Sequence, residues 1–250
     1  MKLVLALILA LAAPGLAYAG PLEDLLSGAR KECRGCDLHG VSFKKADLSG
    51  VDFTGANLEG TSFHRAVLAG AIFDKADAVG ANFNLADLSN ASFKNAVLTN
   101  ALFYEAQLSG AKLDGADLKG ARLQHARLTR VSAVHADFDQ AVMSDARLNN
   151  ADLTDASLLR TNLQNASLGH TKFDGTVIDN GGLLDVKAAD TSFTGARITL
   201  TDFYGADLRN ADFSHAQVSG SRFTTADMSG IKSEAAHFVG NFMADGHYQD

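Results

Sequence analysis

The chain has 250 residues, of which 46% are hydrophobic, 20% charged and 8% aromatic, with two prolines and no tryptophan. That apolar fraction can build a core and argues against wholesale disorder. With 22 basic against 29 acidic side chains and a net charge of −7, the composition excludes a basic groove for nucleic acid, and its two cysteines are too few for a disulfide framework.

The first residues are Met1-Lys2, an apolar run from Leu3 to Ala13, Pro14-Gly15 and then Ala17-Tyr18-Ala19. A positive start, a short apolar core and a small-x-small site predict a secretory signal peptide over residues 1–19, cut after Ala19. The run is shorter than the ~20 residues that span a bilayer, and no later segment is apolar enough to do so. Stable membrane insertion is therefore not expected after cleavage. Gly20 rather than cysteine follows the site, so a lipid anchor is not indicated. Losing Lys2 takes the net charge from −7 to −8. The expected location is periplasmic or secreted.

Residues 20–35 read as a capping helix and linker, because Leu22, Leu25, Leu26 and Ala29 follow Pro21 at i, i+3, i+4, i+7 spacing. Cys33-Arg34-Gly35-Cys36 lies at its end. A thioredoxin-like role needs a strand-turn-helix context, attached haem needs His where Asp37 stands, and one pair cannot complete a four-cysteine zinc site. Cys33 and Cys36 therefore read as a structural pair, able to form a disulfide after export.

From Leu38 to Met228 one frame of five holds without insertion or deletion. Of its 39 large positions, 18 are Leu and 13 Phe, and the position two residues earlier is Ala in 26. The residue between them is usually polar, as in Asp47, Asn57, Asp87 and Asp117, and Gly, Asn or a charged residue closes the unit. A period of five suits neither a straight helix nor a straight strand. If the chain bends at each unit, the small and large residues point inward together and the polar one outward. Glycines such as Gly50, Gly60 and Gly70 fall where those bends belong.

The units Ala46-Asp47-Leu48-Ser49-Gly50, Ala56-Asn57-Leu58-Glu59-Gly60 and Ala116-Asp117-Leu118-Lys119-Gly120 resemble those of the pentapeptide repeat family. The resemblance implies an all-β fold, a right-handed quadrilateral parallel β-helix, over residues 36–232. Four units per coil give about ten coils and a column roughly 47 Å long at ~4.8 Å per rung. Phe43, Phe63, Phe83 and Phe103 then stack on one side, with Phe53, Phe73 and Phe93 opposite. Ala78 and Ala133 leave gaps in the axis. Residues 176–190 are the weakest stretch, since Gly181-Gly182 replaces the small-polar pair and Ala188 takes a large position, so a bulge, a loop or a poorly packed coil is expected there.

The frame fails at Ser233, and Ala235, Phe238, Val239 and Phe242 match a helical stripe, predicting a helix from Glu234 to about Ala244 within a cap and tail over 233–250. The competing expectation is that Phe238 and Met243 continue the repeat. Phe238, Val239 and Phe242 are the candidate cap or dimer contact, as the resemblance implies that the C-terminal end of some members mediates homodimerisation.

No catalytic, cofactor or metal residues emerge. No two histidines are twenty apart, the spacing needed to stack on adjacent rungs, so a histidine metal site is not expected. The outward Asp positions read as a solvated face; Asp117 with Asp137, and Asp207 with Asp227, are the carboxylate pairs that adjacent rungs bring close. The resemblance also implies an alternative, DNA mimicry acting on a type II topoisomerase, should the chain be retained in the cytoplasm. Over ~47 Å a duplex carries about 28 charges, far above this chain's net value. The preferred reading is a non-enzymatic, exported scaffold whose partner is another protein and not nucleic acid. Leu102 and Tyr104, which share a side, and Leu184 and Tyr204, twenty apart, are the candidate contact surface.

Overall fold

The structure is a computed structural model and describes residues 19–249, with side-chain burial from residue 23 onward. Apart from Ala19, the proposed signal segment lies outside the described residues. Helix α1 spans Ala19–Ser27. Pro21 sits in its first turn, where a missing N–H costs nothing. Leu25 is buried against the column, Leu26 packs beside it, and Gly28, at φ 75°, ends the helix. The solenoid starts earlier than the sequence frame indicates: Glu32 already pairs with Asp52, and Cys33 N donates to Asp52 O at 2.7 Å.

From there the chain forms a four-sided parallel β-solenoid in which each residue meets its counterpart twenty positions on. In chain order, face A carries the ladder from Glu32 to Lys232, face B from Asp37 to His237, face C from Ser42 to Phe242 and face D from Asp47 to Asp227. Most rungs are single bridges. On face B, strands β1 (Ser157–Leu159), β2 (Val177–Asp179), β3 (Arg197–Thr199), β4 (Gln217–Ser219) and β5 (His237–Val239) join in register into a five-stranded sheet.

The corners explain the period of five. Ala46 N donates to Phe43 O at 3.0 Å, and Lys45 between them has φ 62°, the positive value a type II turn needs at its third residue. This pattern recurs at unit after unit, so large and small residues fall inside at every side. The outward Asp or Asn closes the corner: Asp52 Oδ1 accepts Thr54 N at 2.9 Å, and Asp137 Oδ1 accepts Asp139 N at 3.0 Å. Many of the aspartates are thus explained by turn chemistry. Where polar Thr201 and Ser221 follow the late corners of face B, side chains of the next coil supply the partners: Thr201 N donates to Ser221 Oγ at 3.1 Å and Ser221 N to Asn241 Oδ1 at 2.8 Å.

The core is two interlocked aromatic columns followed by a leucine-filled middle. Phe63 and Phe83 stack at 5.0 Å between centroids, Phe73 and Phe93 at 4.6 Å, and Phe73 meets Phe83 edge-on at 5.6 Å. Such contacts are worth about 0.5–1.5 kcal/mol beyond burial. Ala78 and Ala133 are fully buried within the same core.

Two expectations are corrected. Residues 176–190 form a regular coil: β2 pairs with both neighbours, and Gly182 and Lys187 bridge the coils on either side. The cause is compensation. A Cβ on Gly181 would stand 2.8 Å from Ile178 Cγ2 and 3.1 Å from Leu183 Cδ1, so the branched Ile178 fills the space an alanine takes elsewhere. Secondly, no helix forms from Glu234 to Ala244. His237 N donates to Ala216 O at 2.9 Å and Gly220 N to Val239 O at 3.1 Å, so the open strand edge of β4 captures this segment as β5. Phe238, half-buried, sits 5.7 Å from Phe213 and 6.0 Å from Phe223, continuing the repeat. The cap is instead the antiparallel pair β6 (Asn241–Phe242) and β7 (Tyr248–Gln249).

Candidate functional site: one face of the column

The four faces have the same backbone and differ in how their charges are used. Face A neutralises itself. Arg34 reaches Asp52 at 2.7 Å, Lys94 reaches Asp114 at 3.4 Å, Lys172 reaches Asp152 at 3.8 Å and Lys232 reaches Asp212 at 3.7 Å. Burial pushes the Asp52 carboxyl up, yet hydrogen bonds from Thr54 and Arg34 hold it below the usual carboxylate range. A shallow open depression on this side, lined by Lys94, Asp114, Ser132 and His135, is occupied by those same internal contacts.

The carboxylate pairs that the twenty-residue spacing brings together are covered by cations. Lys119 Nζ lies 2.8 Å from Asp137, and Arg209 Nε lies 2.8 Å from Asp207 and 3.9 Å from Asp227. The hydrogen bond from Arg209 holds Asp207 below its ordinary value, and those from Ser229 do the same for Asp227. A general acid needs the opposite shift. Among the described residues no group of three or more His, Cys, Asp or Glu is arranged to hold a metal ion. Cys33 and Cys36 are joined by a disulfide at the first rung, with Cα atoms 5.3 Å apart, and Cys33 is buried.

Face C is different. Its ladder runs Ser42, Ser62, Asn82, Leu102, Arg122, Val142, Asn162 and Gly182 without a carboxylate, and its first internal ion pair is Arg222 with Asp202, near the end. All four predicted contact residues belong to this face or to its edge with face D. Leu102 and Leu184 are half-buried, whereas Tyr104 and Tyr204 are 42% and 41% exposed. The two tyrosines are five coils apart, so they form two patches and not one. Tyr104 meets the His125 ring edge-on at 5.5 Å, and the Glu105 carboxylate, as acceptor and as a negative charge, pushes the Tyr104 hydroxyl above its ordinary pKa. The Arg222 guanidinium, itself tied to Asp202, lies over Tyr204 with its carbon 4.9 Å from the ring centroid.

At the C-terminal end Val239, Phe242 and Tyr248 are 57%, 49% and 55% exposed, while Phe238 is drawn into the core. Leu200, 63% exposed, extends this apolar end down one corner, its Cδ2 lying 3.0 Å from where a Cβ on Gly220 would be. Sequence reasoning passed over Leu200, and also over the cluster Lys44, Lys45, His64 and Arg65 on the C–D edge; like charges at positions twenty apart were the available signal.

Family models match Pentapeptide repeats in eight copies, over residues 31–55, 46–84, 81–120, 106–145, 121–158, 141–180 and 189–230. Among solved structures, the chain is similar to HetL, a pentapeptide repeat protein involved in heterocyst differentiation regulation from the cyanobacterium Nostoc, at 24% identity and a TM-score of 0.53, covering 93% of this chain and 100% of that one. It is also similar to a pentapeptide repeat protein of the Arabidopsis thaliana thylakoid lumen, at 36% identity and a TM-score of 0.39, covering 39% of this chain and 68% of that one. A third, Rfr23 from Cyanothece, shares 24% identity with a TM-score of 0.29, covering 54% and 98% of the two chains. Among curated proteins none matches. The five-residue frame, the twenty-residue rung and the family match agree: the chain belongs to the pentapeptide repeat family.

Proposed function

We propose that the protein is exported to the periplasm or beyond and acts there as a non-enzymatic scaffold, presenting face C to another protein. One observation carries the reading: the face C ladder from Ser42 to Gly182 holds no carboxylate and no internal ion pair, while it offers Leu102, Arg122 and Val142 outward. A face left uncommitted on a column whose face A neutralises itself is a surface with contacts still to make. The start of the chain, with Lys2, the apolar run to Ala13 and Ala17-Tyr18-Ala19, supports export, and the Cys33–Cys36 disulfide suits an oxidising compartment. The exposed Val239, Phe242 and Tyr248 make the C-terminal end the place for a second contact, a homodimer joined end to end.

Cell fractionation with N-terminal sequencing tests export. The expected result is an envelope or secreted chain beginning at Gly20; a cytoplasmic chain beginning at Met1 overturns it. Replacing Leu102 and Tyr104 together by Ala then tests the face, with loss of a captured envelope partner expected and an unchanged partner set contradicting it.

A further inference from the structure

The C–D edge near the start of the column stacks cations with nothing to neutralise them. Lys44 and Lys45 occupy its corner in one coil, and His64 and Arg65 occupy the same corner one rung on, with Lys45 N donating to His64 O at 3.0 Å. Among the described residues none of the three basic side chains makes an ion pair, unlike Arg34, Lys94, Lys119, Lys172, Arg209, Arg222 and Lys232. Burial, together with the charges of Arg65, Lys44 and Lys45, pushes the His64 imidazole below its ordinary value, as a crowd of cations must.

The corner also forgoes glycine. Lys45 and Arg65 hold φ 62° and 59°, whereas Gly50, Gly55, Gly60 and Gly70 serve neighbouring corners at the same conformation. Leu85, Glu105 and His125 hold the same conformation further along this edge, so it belongs to the corner as a whole, and what sets this end apart is its charge. The nearest carboxylates on face D turn away: Asp47 binds Ser49 through its backbone N–H, and Asp87 binds Ser89 likewise, both at the far corner. Next along stand Val67, 40% exposed and between Asp47 and Asp87 on face D, then Leu85, stacked above Arg65 and half-buried; the carboxylate on the edge itself is Glu105, beside Tyr104.

We propose that this edge is a peripheral docking surface for an anionic lipid bilayer, with Lys44, Lys45 and Arg65 on the headgroups and Val67 at the interface. The corner of a square column is convex, so it cannot enclose a small anion, but it can rest its projecting cations on a plane of like-charged groups. The contact adds to the protein-binding face and does not depend on it.

The test is co-sedimentation of the full chain with vesicles, reading the ratio of partition into phosphatidylglycerol-containing over neutral phosphatidylcholine vesicles at low salt. Uptake through the N-terminal run and its Lys2 is common to every variant, so the change in ratio between variants reports the edge alone. The combined variant Lys44→Gln, Lys45→Gly, Arg65→Gly keeps the corner conformation and is expected to lower the ratio about a hundredfold, as ~0.5 M salt should also. The variant Lys94→Gln, Lys172→Gln, Lys232→Gln removes the same net charge from face A and should leave the ratio within about twofold. A ratio near one for the unaltered chain, or an equal fall in both variants, overturns the proposal.

Discussion

A large side chain in this column touches the coil below, the coil above and the side opposite, so its removal is felt three ways. Phe83 stacks on Phe63 and Phe103 at 5.0 Å each and meets Phe73 and Phe93 edge-on at 5.6 Å. Phe83→Ala is expected to cost about 3–5 kcal/mol, read as a lower midpoint in guanidinium unfolding. The alternation of Phe with Leu made these stacks legible from the chain alone. The role of Asp52 was not, because Arg34 reaches it across a rung, a contact only the coil geometry creates. Its carboxyl is held low in the folded state, so its contribution is present above the unfolded value near 3.8 and disappears as pH falls through the folded one. Denaturant midpoints at pH 7 and pH 3 should therefore differ more for the unaltered chain than for Asp52→Asn; equal differences would contradict this.

At the level of the element, what decides is whether backbone groups find partners. The helical stripe of Ala235, Phe238, Val239 and Phe242 was real in sequence, but the same Phe238 also lies in the five-residue frame, and β4 presented unpaired N–H and C=O groups that only a strand can meet. Periodicity alone does not record an edge waiting at the end of a column. Gly181 misled for a related reason: read locally it is a gap, whereas Ile178 occupies the gap. The helix over the first coil was legible, since α1 needs only its own spacing and Leu25 to find the core. The Cys33–Cys36 bridge closes a very short loop, so its reduction should cost no more than about 2 kcal/mol and act locally. Hydrogen exchange is expected to show faster amides near Cys33, Gly35 and Leu38 on reduction, with those around Phe173 unchanged.

For the whole molecule, each coil is stabilised by its two neighbours, so damage spreads by contact and not by sequence distance. Leu118 is fully buried mid-column, and Leu118→Asp places a charge on a dry axis without a partner. It should uncouple the two halves, giving two unfolding transitions or outright loss of folding by circular dichroism; a single transition at the original midpoint would contradict the packing described. The architecture as a whole was legible because its rule is local and repeated. The uncommitted face was legible only in part. Tyr104 and Leu102 were picked out as apolar residues on the outside, but the self-pairing of face A, against which face C stands out, depends on which charges the rungs bring together.

The most direct measurement is the distance between spin labels on face C, at positions 62, 162 and 222, by pulsed electron paramagnetic resonance. A coil of twenty residues rising ~4.8 Å predicts about 24 Å from position 62 to 162 and about 38 Å from 62 to 222, a straight line in residue number. Distances that fail to grow in that proportion, or that spread broadly, would mean that these residues do not share one face of a rigid column.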